Sequence, residues 1–317
     1  MKLLKLVPDN TNVDFMKWRN VALILSIVLT VGSLVLTAYR GLNLGIDFVG
    51  GQVVRATFAQ QVNIEELRGK VATLNVGEAS IQEFGDNKTY QIRLPRPEGP
   101  DAAANQVVTA VRGMIIKEYP GVKVTAGESV SGKVSGELAW DGALAIAFAM
   151  LGIAVYIWFR FEWQFGVGAL VTLFHDVSMV LGFFSVTQLQ VDLNIVAAFL
   201  AIVGYSLNDT VVIYDRIRED MRKYRKMPIL ALLNQSLNET LSRTMVTSLS
   251  LMLALAVLLA LGPDVLFGLT IAILLGTFIG TYSSIYISAP ALVWMGLKPD
   301  SFLRHEEDED RTVAPAR

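Results

Sequence analysis

The residues of this chain that could do chemistry are polar side chains inside long apolar segments. The stretch GYSLNDTVVIYDR, residues 204–216, places Asp209 in an apolar run that begins near Ile195. At 1.5 Å per residue, Asp209 lies about 21 Å along a helix that starts there. A carboxylate near the centre of a membrane helix costs about 2.5–3.5 kcal/mol, and such residues usually have a function. Asp209 is therefore a candidate ion carrier; the alternative is a structural partner for a neighbouring helix end.

A proton carrier needs neighbours that can change its charge. Burial favours the neutral form of a carboxylate and a nearby cation favours the charged form, so a small movement can load or release a proton. Arg243, at the start of the fifth apolar segment, is the cation best placed to act on Asp209, although an arginine at a cytoplasmic helix end is also a common topology signal. Tyr205 and Ser206 lie on the Asp209 face and could hydrogen-bond to it, whereas Asn208 points about 100° away.

A second polar group lies in the third apolar segment, where FHDVSMV contains His175 and Asp176. Adjacent residues of a helix do not share a face. A lone buried histidine is usually a satisfied polar core residue. Next to an aspartate at membrane depth, it suggests a polar network or a proton relay.

The composition defines the class of protein that must position these residues. Of 317 residues, 53% are hydrophobic and 18% are charged, and the mean hydropathy is +0.47, which indicates a membrane protein. The net charge of −2 gives no reason to expect nucleic acid as a partner. Cysteine is absent, and no nucleophile–base pair, metal-ligand pattern or Walker motif occurs. We therefore expect neither an enzyme nor a bound cofactor or metal.

Six apolar segments are long enough to cross a bilayer, so the fold class is an α-helical polytopic membrane protein with six transmembrane helices. They lie near residues 21–38, 142–159, 165–187, 195–214, 245–261 and 267–295. The first could be a cleaved signal peptide, but its run is long and a poor cleavage site follows it. Lys and Arg cluster before the first segment and after the fourth, so both termini are predicted to be cytoplasmic. The stretch GTFIG, 276–280, is typical of a close helix contact.

These segments divide the chain into five parts. Residues 1–20 form a cytoplasmic segment, 21–38 the first helix, 39–138 an extracytoplasmic domain, and 139–297 the remaining five helices. The cytoplasmic tail, 298–317, is acidic and has no assigned function. A cytoplasmic loop is expected at about 216–243. The loop is basic because of topology, and its amphipathic part, 229–241, could also lie on the inner leaflet or dock a partner.

The exported domain has the pattern β-α-β-β-α-β, typical of a small ferredoxin-like domain. The predicted strands are 52–58, 79–84, 89–94 and 122–130, and the predicted helices are 63–74 and 101–119. Asn63 and Glu66 have the spacing of a capping box, and FGDNKT, 84–89, supplies a hairpin turn. The domain lacks His and Cys, so we interpret it as a binding or lever domain.

Four stretches together resemble the SecD/SecF family of bacterial protein-export proteins, within the resistance-nodulation-division (RND) superfamily. They are GLNLGIDFVGG (41–51), which ends in the Gly50–Gly51 pair, FRFEW (159–163), HDV (175–177) and VGYSLNDTVVIYDRIRE (203–219). The resemblance covers nearly the whole chain and implies an RND-type half bundle. It further implies that Asp209 is the carboxylate of proton coupling and that Arg243 is its basic partner.

The resemblance also implies a function and partners. A six-span member of this family pairs with SecD and with YajC beside the SecYEG channel in the bacterial cytoplasmic membrane. There it uses the proton motive force to drive or complete export of an unfolded polypeptide after the ATPase SecA has pushed it. One alternative is half of an RND-type exporter of small molecules or lipids, which would need a larger exported domain. Another is a passive scaffold for SecD, for which substitution of Asp209 would be silent.

Overall fold

The computed structural model describes residues 11–74, 76, 79–95 and 101–297, which form a helical bundle with a small α/β domain at one end. The helices are α1 (Arg19–Arg40), α2 (Ile46–Val49), α3 (Ile64–Ala72), α4 (Asp101–Glu118), α5 (Gly132–Arg160), α6 (Trp163–Thr187), α7 (Leu193–Lys223), α8 (Ile229–Leu261), α9 (Phe267–Ser283) and α10 (Ala289–Trp294). The strands are β1 (Gly51–Thr57), β2 (Ser80–Phe84), β3 (Asp86–Leu94) and β4 (Lys123–Val130). The predicted acidic tail, 298–317, lies outside the described residues.

Six helical segments of the described residues are long and apolar enough to cross a membrane, and they contain the six predicted spans except for residue 295 at the end of the sixth. They are α1 with the preceding turn Phe15–Trp18, α5, α6, α7, α8, and α9 continued by α10. In α6, α7 and the sixth span about half of the apolar window is buried, against 17% in α1, α5 and α8. The first three therefore form the centre of the bundle, where polar residues can be enclosed.

The predicted loop at 216–243 is mostly helical. α7 continues to Lys223 and α8 begins at Ile229, so the connection is only 224–228. Helices leave the hydrocarbon without ending because their backbone hydrogen bonds are internal. The amphipathic run forms the first turns of α8, and its buried residues Leu232, Leu233 and Leu237 pack in the core of the protein itself rather than on a lipid surface.

The α/β domain, for which we keep the name exported domain from the prediction, has the predicted β-α-β-β-α-β order. Its strands form one antiparallel sheet in the order β2-β3-β1-β4, which is the ferredoxin-like arrangement. The capping box at α3 is only half formed: Asn63 accepts from the backbone N–H of Glu65, but Glu66 is ion-paired with Lys70 at 2.9 Å. The ion pair wins because Lys70 lies one turn ahead on the same helix face.

The exported domain is joined to the bundle beside the start of α7. Leu44 and Val191 form a short parallel β-bridge, and the N–H of Gly45 donates to the Val191 carbonyl at 2.7 Å. Arg93 of β3 donates to the Leu44 carbonyl at 3.0 Å. Val191 lies two residues before α7, so this bridge connects the start of that helix with the residues that lead into the exported sheet.

The sixth span is irregular at its middle. Ser284–Ser288 form a π-helical turn between α9 and α10. Pro290 explains this turn, because it has no N–H for the carbonyl four residues earlier and its ring displaces that carbonyl. Before the turn, α9 lies very close to α7: a Cβ added to Gly280 would be 3.1 Å from the Ser206 Cβ. The predicted close helix contact at 276–280 is thus formed with α7.

Candidate functional site

Asp209 is buried in the centre of the bundle. Its side chain is on α7 and is 3% exposed. Among the described residues it accepts one hydrogen bond, a long one of 3.3 Å from the Ser248 hydroxyl of α8. A carboxylate can accept about four hydrogen bonds. Asp209 is therefore enclosed by protein but only weakly held.

A group of hydroxyls converges on the same serine. Tyr205 donates to Ser248 at 3.3 Å, and Thr281 of α9 donates to it at 2.8 Å. Tyr205 thus reaches Asp209 through Ser248 rather than directly. The arrangement joins α7, α8 and α9 around one carboxylate, and each of these hydroxyls can both donate and accept a hydrogen bond.

Asp176 of α6 has a different environment. It is fully buried and has three polar neighbours: His175 Nδ1 at 2.8 Å, the Ser206 hydroxyl at 2.5 Å and the Ser283 hydroxyl at 2.9 Å. Its carboxylate connects α6 with α7 and α9. The polar network predicted at this position is present in the structure.

Two expectations about these residues need correction. His175 and Asp176 are adjacent in sequence, but their side chains meet, because the short carboxylate and the imidazole Nδ1 both turn towards each other around the helix. Ser206 was expected to be a hydrogen-bond partner of Asp209, but it donates to Asp176. One turn before Asp209, its hydroxyl faces the junction of α6 and α9, where Asp176 is the nearer acceptor.

The remaining predicted site residues on these helices are on the outside. Arg243 is exposed on α8, and no carboxylate of the described residues lies within 4 Å of its guanidinium. Asn208 is also exposed, on the surface of α7 opposite to the core. The structure therefore links Asp209 to Tyr205 through Ser248. Among the described residues Arg243 makes no direct ion pair with Asp209, although its charge acts on that carboxylate from farther away, and Asn208 makes no hydrogen bond to it.

Sequence reasoning missed the hydroxyl partners on α8 and α9. The signal was available: Thr240, Thr244 and Ser248 recur every four residues, and so do Thr277 and Thr281, followed by Ser284 and Ser288. Such spacing puts the hydroxyls on one face of each helix. Further along this face Thr210 contacts Ser284 at 3.2 Å, at the π-helical turn, and turns of this kind frequently occur at functional sites.

The Gly50–Gly51 pair forms the start of β1. Both have positive φ angles, 75° and 131°, and a Cβ on Gly51 would lie 2.7 Å from the Leu94 carbonyl oxygen. Glycine is needed there for both reasons. A Cβ on Gly50 would be 3.2 Å from the Gly132 Cα at the start of α5, so the pair fixes where the exported sheet meets the bundle.

The arrangement can bind and release a proton or a small cation at a buried carboxylate. Within the described part of the chain, no group of three or more His, Asp and Glu is close enough to hold a metal ion. The chemistry of the site is thus ionic and conformational.

Comparison with known families and proteins gives a consistent result. Residues 113–298 match the family "Protein export membrane protein SecD/SecF, C-terminal", and residues 39–62 match the "SecD/SecF GG Motif". The chain is 40% identical to protein translocase subunit SecF of Rhodobacter capsulatus, over 97% of this chain and 94% of that protein. It is also 40% identical to SecF of Rickettsia rickettsii, over 91% of this chain and 94% of that one.

Solved structures agree with these sequence matches. The crystal structure of SecDF, a translocon-associated membrane protein from Thermus thermophilus, superposes with a TM-score of 0.84 at 32% identity. The match covers 91% of this chain and 39% of the Thermus chain, so this chain corresponds to a part of that longer protein. A second SecDF structure, described as a super-membrane-facing form, matches with a TM-score of 0.66 at 30% identity, over 96% of this chain and 40% of that one.

Proposed function

This chain belongs to the SecD/SecF family as a SecF-type, non-enzymatic subunit of the protein translocase, and we propose that it drives export by binding and releasing protons at Asp209. The protein is a multi-pass membrane protein. We place it in the bacterial cytoplasmic membrane, with both termini in the cytoplasm and the sheet domain outside.

The observation that carries the proposal is the weak hold on a buried carboxylate. Asp209 is 3% exposed and, among the residues that the structure describes, accepts one hydrogen bond of 3.3 Å, although it lies at membrane depth. A charged carboxylate in such surroundings is costly unless donors or cations approach it, and a neutral one is not. Its charge therefore depends on what the neighbouring helices bring to it, which is the property a coupling residue needs.

Arg243 is the cation that would change that charge. It is exposed in this conformation and lies five residues before Ser248 on α8. A rotation or slide of α8 that brings the guanidinium to Asp209 would stabilise the carboxylate and release its proton. The reverse motion would leave the site ready to be protonated. The two residues would then define two states, one in which they form a direct ion pair and one in which they are farther apart.

The motion would reach the exported domain through α7. Asp209 is on α7, and the β-bridge between Leu44 and Val191 ties the start of that helix to the exported domain. One proton crossing about 100 mV delivers roughly 2.3 kcal/mol, which can bias a two-state element by one to two powers of ten. That is enough to move the domain between a form that holds the emerging polypeptide and one that releases it.

Association with SecD is supported by the likeness to fused SecDF and by an uncovered face of α7. Asn208 is exposed at membrane depth, where an amide without partners is costly. The residues that precede Asn208 on the same face of α7 are small and exposed, as is typical of helix contacts in membranes. They are Ala197, Ala201 and Gly204. We propose that a SecD helix covers this face. YajC, the SecYEG channel and, indirectly, SecA complete the proposed assembly.

The test uses membrane vesicles that contain this protein with its SecD partner and the export channel. Asp209→Asn should leave assembly intact and reduce export to the level found without a proton gradient. Glu219→Gln, which changes an exposed carboxylate of the same helix, is the matched control and should export normally. Undiminished proton-dependent export by Asp209→Asn, at equal protein levels, would rule out the coupling role and leave a passive scaffold.

A further inference from the structure

A pocket lies at the opposite end of α7 from the exported domain, where α5 ends and α6 begins. It has a volume of about 390 Å³, and it is lined by Arg160, Phe161, Glu162, Gln164 and Arg218 with exposed tryptophans at its edge. Pockets of about 300–1,000 Å³ are the usual size for small ligands and headgroups. The pocket is distant from Asp209 and is not used in the proposed function.

The basic side of this pocket is formed by two guanidiniums that stack on one aromatic ring. Those of Arg160 and Arg218 lie over the ring of Phe161, at 5.1 and 5.7 Å from its centre. Arg218 also donates to the Arg160 carbonyl at 3.3 Å, and Arg160 lies 3.7 Å from Asp215 in a half-exposed ion pair. Two guanidiniums held against one aromatic ring are suited to the oxygens of a phosphate.

The acceptor side is more specific. Oε2 of Glu162 and Oε1 of Gln164 are buried, and neither has a hydrogen-bond partner among the described residues. A buried acceptor left without a hydrogen bond is unfavourable, so two of them in one pocket indicate a missing donor. A primary ammonium, with three N–H groups, is the group that fits a carboxylate and an amide oxygen together.

The third feature is the surface around the pocket. Trp158, Phe159 and Trp163 are 67, 91 and 51% exposed and lie at the ends of two membrane spans. Aromatic side chains at that level are typical of the boundary between headgroups and hydrocarbon. A ligand in the pocket would therefore extend into the lipid beside it.

We propose that this pocket binds the headgroup of phosphatidylethanolamine, with the phosphate on Arg160 and Arg218 and the ammonium on Glu162 and Gln164. The charges are complementary at both ends of a zwitterion, and the exposed aromatic residues leave room for its acyl chains. The proposal predicts selectivity. Phosphatidylcholine has the same charges but no N–H to donate, and phosphatidylglycerol has the phosphate but no ammonium.

Binding can be measured on the purified full chain in detergent, by native mass spectrometry during titration with lipids of identical acyl chains. We expect phosphatidylethanolamine to bind about tenfold more tightly than phosphatidylcholine, since two charge-assisted or buried hydrogen bonds are at stake. Glu162→Gln should remove most of this preference and leave phosphatidylglycerol binding unchanged. Arg160→Gln should weaken both lipids, whereas Arg225→Gln, an exposed arginine outside the pocket, should weaken neither.

A second measurement needs no variant. On the wild-type chain, stepwise N-methylation of the ethanolamine headgroup should lower the affinity at each step, as each N–H is lost. Equal affinity across the methylated series, or an unchanged preference in a folded Glu162→Gln protein, would overturn the proposal. Competition by glycerophosphoethanolamine as strong as that of the lipid would also overturn it, because the site would then take a soluble headgroup rather than a membrane lipid.

Discussion

The two buried aspartates of the bundle differ in how firmly they are held. Asp176 has three polar neighbours at 2.5–2.9 Å, from α6, α7 and α9. Asp209 has one, at 3.3 Å, from α8. Both are nearly inaccessible, at 0 and 3% exposure. Two aspartates at similar burial thus differ in their hydrogen bonding. Asp176 is held by three short contacts, whereas the single long contact of Asp209 leaves its environment free to change.

The difference follows from the helices that surround each carboxylate. Asp176 lies between α6, α7 and α9, and the absence of a side chain on Gly280 lets α9 approach α7 closely enough for serines to reach it from both sides. Asp209 faces α8, of which little is buried. The hydrogen-bond donors of Asp176 cannot change unless the close packing of α6, α7 and α9 is disrupted. α8, at the edge of the bundle, can move and so change the donors of Asp209. Coupling residues are therefore expected at the loosely packed carboxylate.

The largest expected effect comes from removing the firmly held carboxylate. Asp176→Ala leaves Ser206, Ser283 and His175 without their shared acceptor, and we expect a loss of about 3–5 kcal/mol in the free energy of unfolding. Asp209→Asn should change it by about 1 kcal/mol or less, because only one long hydrogen bond is altered. Unfolding of both variants in mixed detergent micelles measures the difference. An equal or larger loss for Asp209→Asn would invert the comparison.

The sequence predicted the positions of these carboxylates but not their environments. The number of spans, the strand order of the exported domain and the depth of Asp209 follow from periodicity and helix rise, which are local properties. The link from Ser206 to Asp176 and the role of Ser248 depend on which helices become neighbours. The four-residue spacing of residues such as Ser248 and Thr281 places their hydroxyls on one face of each helix, but it does not show which helix that face meets.

A smaller effect is expected from Ser248→Ala. This change removes the single hydroxyl that connects Asp209 with Tyr205 and Thr281, so proton-dependent export should fall while stability drops by about 1 kcal/mol. Ser250→Ala is the matched control, because that serine is exposed on the same helix and donates only to the Val246 carbonyl among the described groups. Export in vesicles and unfolding in micelles measure the two effects. Equal export by both variants would show that the hydroxyl group is not part of the coupling site.

The smallest expected effect is at a third carboxylate, Asp192, which immediately precedes α7. It is only partly buried, unlike Asp176 and Asp209. Burial raises the pKa of Asp192. Hydrogen bonds from the backbone N–H of Ile195 and from the Asn194 side chain lower this pKa, and the nearby charge of Asp47 raises it further. A carboxyl group with a raised pKa in the folded state stabilises the fold below its unfolded pKa of about 3.9, and the contribution is lost as the pH rises through the folded value. The β-bridge between Leu44 and Val191, next to Asp192, should therefore be more stable at acidic pH.

Hydrogen exchange can measure this at the amides of Gly45 and Val191, which form the bridge between the exported domain and the bundle. After correction for intrinsic exchange, protection should fall as the pH rises through the acid range. Asp192→Asn retains a side-chain acceptor for the start of α7 but cannot ionise, so its protection should be independent of pH. If the wild type shows no such dependence, the exported domain is joined to the bundle equally firmly whether Asp192 is protonated or ionised. Proton coupling would then have to act through α7 alone, from the loosely held Asp209.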